Sequence, residues 1–231
     1  MSESIGDRMK NNYEDISRHF LVRRMPAIIR LDGRAFHTFT RNITKPFSEE
    51  LICAMVLAAQ DVADDMQGFK LAYIQSDEVS FVLTDYDTLQ TDAWFGYNIQ
   101  KMVSIAASRM SVNFNFYYRN KHHPVFDGRA FNIPKEEVSN YFLWRALDWQ
   151  RNSVQMYSQS FFSHSQLMNK NQTDMHEMLH GIGKNWATDL SDQIKNGTFI
   201  RCPKEKLYTV KPNYSEISQL VEPLLEPVRA K

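Results

Sequence analysis

Two aspartates set at turns between short apolar runs restrict this chain more than any other feature. Asp32-Gly33 closes the run 27–31, and Asp77 lies in the polar stretch Gln75-Ser76-Asp77-Glu78 between the runs 71–74 and 79–83. Such runs, bounded by turn residues, read as strands. Between them Leu51, Met55, Ala59, Val62 and Met66 recur at helical spacing; Ser48 with Glu49-Glu50 starts that helix and Gly68 stops it. A second helix is expected over 92–110, with Trp94, Ile99, Met102, Val103 and Ala106 on its apolar face, and strands over 112–118 and 125–133. The first five elements run β-α-β-β-α, and one further strand completes a split βαβ, ferredoxin-like α+β unit. Its sheet sets the first strand beside the third, so Asp32 and the hairpin turn holding Asp77 share one edge. Past Pro134 the pattern turns helical, over 136–162 and 173–180, with a short strand at 198–202 and a helix near 215–221.

Two carboxylates held that close repel each other when ionised and favour a cation between them. Singly, each reads as an ordinary turn residue; together they suit Mg²⁺, which takes one or two carboxylates plus substrate phosphates. A pair of such ions can activate a hydroxyl and steady a leaving oxygen. Gly33 lets backbone approach the ions or phosphates.

With 231 residues, 43% of them hydrophobic, the chain can bury a substantial core. No apolar run reaches the ~20 residues of a membrane-spanning helix, and the first residues lack a signal pattern. Cys53 and Cys202 lie far apart, and Cys53 sits in an apolar helix as a small core residue; a reducing, cytoplasmic setting follows. Zero formal net charge argues against a purely electrostatic nucleic-acid binder. The basic clusters Arg23-Arg24, 119–123 and 204–206 read equally as RNA contacts or solvated surface.

The segment Arg30-Leu31-Asp32-Gly33-Arg34-Ala35-Phe36-His37 resembles the RLDGRxFH motif of the tRNA-His guanylyltransferase family, and residues 75–81 resemble its QSDEYSFV motif. Phe126-Asp127-Gly128-Arg129 is similar to its FDGR segment, and residues 141–145 to its DYxxWR segment. Lys184-Asn185 and then Lys195-Asn196-Gly197-Thr198 resemble its KNE and KGT segments, so the match runs in order over about residues 20–200. The resemblance implies a polymerase-type palm over 1–133, a helical region over 134–231 packed on it as one unit, and 3′-to-5′ addition of nucleotides to a tRNA 5′ end. It implies two Mg²⁺ ions on Asp32, the Gly33 backbone and Asp77, with GTP and ATP as substrates. The nucleotide cradle would comprise Asp32, Gly33, Arg34, Ala35, Phe36 and His37 with Ser76 and Asp77. Lys45 and Lys101 match triphosphate lysines, while Arg129, Lys184 and Asn185 match residues near a second triphosphate or the activation step. A homotetramer is implied as well.

Two departures stand out. Gln150-Arg151-Asn152-Ser153 replaces the HINN motif of the eukaryotic members, keeping only Asn152, and Gly96-Tyr97-Asn98 replaces a strongly basic stretch. Both bring the chain closer to the Thg1-like proteins, which resemble enzymes that repair truncated tRNA 5′ ends against a template. Arg151 and Asn152 are then expected to meet the tRNA. A rival reading comes from His176-Glu177-Met178-Leu179-His180, which spells the HExxH zinc-hydrolase signature; no convincing third ligand follows it, although Asp189 and Asp192 are nearby, and the plainer reading is a surface helix with an ordinary His pair. Another is a non-catalytic RNA-binding protein of the same fold, its aromatics Phe114, Phe116, Tyr117 and Tyr118 either stacking on bases or filling the two faces of a strand.

Overall fold

The structure is a computed structural model that describes residues 3–43, 45–119, 121–201 and 207–227. After a short N-terminal helix, α1 (Ile5–Met9), the chain runs β1 (Ala27–Gly33), α2 (Phe36–Phe39), α3 (Glu49–Asp64), β2 (Phe69–Gln75), β3 (Glu78–Leu83), α4 (Ile99–Tyr118), β4 (Phe126–Asn132) and α5 (Val138–Gln159). There follow α6 (His164–Leu167), α7 (Gln172–Gly181), α8 (Trp186–Asp189), α9 (Asp192–Asn196), β5 (Thr198–Ile200), β6 (Leu207–Tyr208) and α10 (Tyr214–Val221). The strands form one antiparallel sheet in the order β4-β1-β3-β2-β5-β6. Its first four members have the split βαβ order read from the sequence, and the C-terminal region adds β5 and β6 beside β2.

Strand alternation divides the core. Ala27, Ile29 and Leu31 of β1 join Val79, Phe81 and Leu83 of β3 on the face covered by α3 and α4. Ile28, Leu71, Tyr73 and Val82 point the other way, against Tyr141, Phe142 and Ala146 of α5 and Ile217 and Val221 of α10. Helices therefore cover both faces. Every chain position on the α5 side of β1, including Arg30 and Asp32, faces the C-terminal region.

One expected strand is a helix. Residues 112–118 continue α4, because Met102, Ala106, Met110, Phe114 and Tyr118 recur every fourth residue and all five are buried. That unbroken stripe outweighs the strand preference of the local aromatics. Phe114 and Tyr118 fill the core, Tyr117 donates to Asp61, and Phe116 is exposed. At its other end α4 starts at Ile99, not near residue 92: Phe95, Gly96 and Tyr97 have positive φ, and Asn98 caps the helix by accepting from the Lys101 amide at 3.0 Å. Cys53 is exposed rather than buried, lying between the α3 core positions Leu51 and Met55 on the outward turn of the helix. Cys202 and residues 204–206 fall outside the described residues.

The Arg23-Arg24 cluster serves the fold. Asp85, fully buried, accepts from the Arg23 side chain and from the Arg24 amide, and the Arg24 guanidinium donates to the carbonyls of Asp85, Thr88 and Leu89. These bonds fasten the loop after β3 to the segment entering β1. Asp85→Ala removes a charged acceptor from two donors and should cost about 2–3 kcal/mol. Differential scanning calorimetry should show a melting temperature lower by roughly 5–10 °C.

Candidate active site

β1 and its neighbours bring the two aspartates together. Asp32 stands opposite Glu78 of β3 and Asp127 of β4, and the Gly33 amide donates to the Asp77 carbonyl at 3.1 Å. The end of β1 is thus stitched to the β2–β3 turn, where Ser76 holds a left-handed conformation. Burial pushes the Asp77 carboxyl up to about 6; its own backbone N–H and Ser76 counter this, and the Asp32 and Glu78 charges add to it. Asp32 is also raised, first by burial and then by the Glu78 and Asp127 charges, against the pull of Arg30 and Arg129. Among the described residues no lysine or arginine forms an ion pair with either aspartate.

This donor set fits divalent magnesium. Two half-buried carboxylates have their pKa raised first by burial and then by neighbouring acidic charge, and the Gly33–Asp77 backbone bond ties the turn of one to the strand end of the other. No group of three His, Cys, Asp or Glu side chains suited to a metal ion occurs among the described residues. Two carboxylates with the remaining positions open suit Mg²⁺ together with phosphate oxygens.

Two cavities meet at Asp32, Ser76 and Asp77. The larger, about 870 Å³, is lined by Asp32, Gly33, Ala35, Phe36, His37, Lys45, Ser76 and Asp77 of the expected cradle, with Phe47, Leu51 and Ile52 as apolar wall. The smaller, about 380 Å³, opens between the β2–β3 turn and α5 and includes Asn152, Gln155 and Gln159. Two of the expected nucleotide-binding residues lie elsewhere. Arg34 is exposed, its amide donating to the Val125 carbonyl, and Lys101 is exposed in the first turn of α4. Nor do Arg129, Lys184, Asn185 or Arg151 line either cavity. Arg129 pairs with Arg30 across the strands. Lys184 lies over the Phe161 ring at 5.5 Å, Asn185 caps α8, and Arg151 is exposed and paired with Asp148.

Residues 6–134 match the Thg1 family, described as tRNAHis guanylyltransferase. The chain belongs to this family. It is similar to a solved bacterial Thg1-like protein in complex with ATP, at 40% identity over 96% of this chain and 99% of that one, with a TM-score of 0.90. A structure of a bacterial Thg1-like protein in complex with GTP is 38% identical over the same shares, with a TM-score of 0.84. The probable tRNA(His) guanylyltransferase of Mus musculus is 31% identical over 138 residues, 55% of this chain and 45% of the mouse protein. The chain therefore spans about half the length of that relative.

In this Thg1-family chain the site has a further wall that motif reading passed over. Trp149, Met156 and Gln159 of α5 line both cavities, and Arg145 holds Glu78 in the smaller one. Arg145, Trp149, Asn152 and Met156 recur at helical spacing, the one signal in the sequence that places them on a common face. The HExxH segment lies on α7, with its two histidine rings 6.5 Å apart and Trp186 against His176. Its candidate third ligands are engaged elsewhere. Asp189 accepts from Tyr157 and the Asn185 amide, and Asp192 pairs with Lys195.

Proposed function

We propose that this chain adds nucleotides in the 3′-to-5′ direction to the 5′ end of tRNA, using two Mg²⁺ ions held by Asp32, Asp77 and the Gly33 backbone. The observation that carries this is the convergence of Asp32 and Asp77 on the common wall of two cavities. The bound complexes of the bacterial relatives with ATP and GTP support nucleoside triphosphates as substrates. When bound, the metals would lower the charge on the phosphates and favour ionisation of the attacking 3′-hydroxyl.

The chain's own residues bind and orient. Lys45 and His37 at the larger cavity supply positive charge and hydrogen-bond donors to a triphosphate, and the glycine at position 33 lets it approach the backbone. Phe36, Phe47 and Leu51 give a base an apolar wall that excludes water. Arg129, Lys184 and Asn185, outside both cavities, act on a second triphosphate or the activation step only if the longer tRNA-bound substrate reaches them. Arg34 and Lys101 likewise lie outside both cavities. The palm, 1–133, and the helical region, 134–231, work as one unit, since α5 closes the site that the sheet opens.

The QRNS sequence at 150–153 favours template-dependent repair of several tRNAs, with guanosine addition to tRNA-His as a related activity. Arg151, exposed and next in sequence to the cavity residue Asn152, would contact the tRNA backbone. Arg151→Ala should weaken tRNA binding about 3–10-fold and lower the salt slope by about 1, as filter binding across a salt series would show. Unchanged affinity would remove Arg151 from the interface. A homotetramer is in keeping with the exposed apolar side chains of the N-terminal helical segment, Ile5, Met9, Tyr13 and Ile16, and of Val112 and Phe116 on α4.

The deciding assay incubates labelled GTP with full-length tRNA-His and with several tRNAs lacking their first nucleotide. Templated restoration of the truncated tRNAs supports repair. A single guanosine placed only on tRNA-His would narrow the function to that substrate, and no incorporation into any of them would end the proposal.

A further inference from the structure

Glu78 is a third carboxylate beside the pair. It follows Asp77 directly, faces Asp32 across the β1–β3 ladder and lines the smaller cavity with both. Yet both of its oxygens are occupied. Arg145 of α5 donates Nε to Oε1 at 2.8 Å and Nη2 to Oε2 at 2.7 Å, a two-pronged pair in which both side chains are largely buried. The guanidinium is fixed from two further directions, lying 4.5 Å from the Trp144 ring centre and 3.3 Å from Asp148. A lysine in its place would supply the charge without the planar fork or the stacking.

We propose that Arg145 is a positioning residue that keeps Glu78 off the metal pair, so that Asp32 and Asp77 alone meet the cations. This rests on the metal-dependent reading of the site given above. Mg²⁺ coordinates six oxygens in a tight octahedron, and a third carboxylate would occupy a position that substrate phosphate needs. Arg145 also fastens α5, which carries Trp149, Met156 and Gln159 along the wall shared by the two cavities, to the turn that carries Asp77. One ion pair thereby sets both the ligand number and the distance between the sheet edge and its helical cover.

The test titrates Mn²⁺, as a probe for magnesium, into the nucleotide-free protein by isothermal titration calorimetry, with circular dichroism melting on the same samples. Arg145→Gln releases Glu78 and should tighten Mn²⁺ binding at least fivefold. The Glu78→Gln/Arg145→Gln double variant restores a two-carboxylate set in a neutral pair and should bind Mn²⁺ within twofold of the unmodified protein. A purely structural ion pair gives no tightening in the single variant, and that result overturns the proposal. Should Arg145→Gln fail to fold, Arg145→Lys, which keeps the charge but not the two-pronged grip, takes its place, and no tightening there overturns the proposal. Loss of more than tenfold in the double variant's Mn²⁺ affinity would make Glu78 a ligand in its own right and overturn the proposal as well. Asp77→Asn run alongside separates the two levels: unchanged Mn²⁺ binding there removes the metal-dependent reading itself.

Discussion

Asp77→Asn is expected to abolish transfer while making the cation-free protein more stable at neutral pH. The two effects have one origin. Asp77 is half-buried beside Asp32 and Glu78, and desolvation pushes its carboxyl up to about 6 in the folded chain against an ordinary value of 3.8. Between those values the folded state holds a proton that the unfolded state has released. Stability therefore falls as pH rises through that window, and the loss is complete above pH 6. An asparagine carries no charge to desolvate. It should recover up to about 3 kcal/mol at pH 7.5 and nothing below about pH 4. On the proposed two-metal reading the same substitution also removes one of the two carboxylate ligands, and the lost charge stabilisation should lower transfer by ~10³-fold or more. Denaturant melts at the two pH values, beside single-turnover incorporation of labelled GTP, read both. A variant that is less stable at pH 7.5, or that retains transfer within tenfold, contradicts the account of this residue.

Gly33→Ala is expected to have the second-largest effect, through a neighbour rather than a lost ligand. A Cβ at position 33 would lie 2.2 Å from the Phe36 ring. That ring cannot simply swing aside, because it is buried between Phe39, Phe114 and Phe126 with ring centres 5.1–5.6 Å away. The alanine must push Phe36 and the start of α2, which form the near wall of the larger cavity, or pull the end of β1 from the Asp77 carbonyl. Overpacking of this kind costs about 1–3 kcal/mol. Misplacement of the reacting groups by about 1 Å should lower kcat/KM on the order of 10²-fold. Adding Phe36→Leu to the variant makes room for the methyl group and should return part of both losses. If the single variant keeps full stability and activity, the close approach at Gly33 has no part in shaping the cavity.

The order β-α-β-β-α-β was legible in the sequence because its first three strands are short, apolar and bounded by turn residues, and the antiparallel pairing then fixes which ends are neighbours. Asp32 and Asp77 could be brought together on that basis alone. Contacts over long sequence separation were not legible. Nothing local marks Arg145 as the partner of Glu78, nor Arg23 and Arg24 as partners of Asp85; a basic pair and an acidic residue look the same whether exposed or latched. The 112–118 segment misled because its aromatics favour strands taken alone, while the five-residue stripe at four-residue spacing that makes it helical begins at Met102. Cys53 misled in the opposite sense, since an apolar helix still turns one side to solvent. The α5 wall escaped notice because its residues carry little chemistry of their own and gain importance only from facing the aspartates.

The central claim is most directly tested by crystals of the protein grown with GTP and Mn²⁺, with anomalous scattering used to place the metal. The account predicts manganese between the Asp32 and Asp77 carboxylates and the triphosphate in the cavity that contains Lys45 and His37. Manganese bound elsewhere, or a nucleotide outside that cavity with the two side chains turned apart, would contradict it.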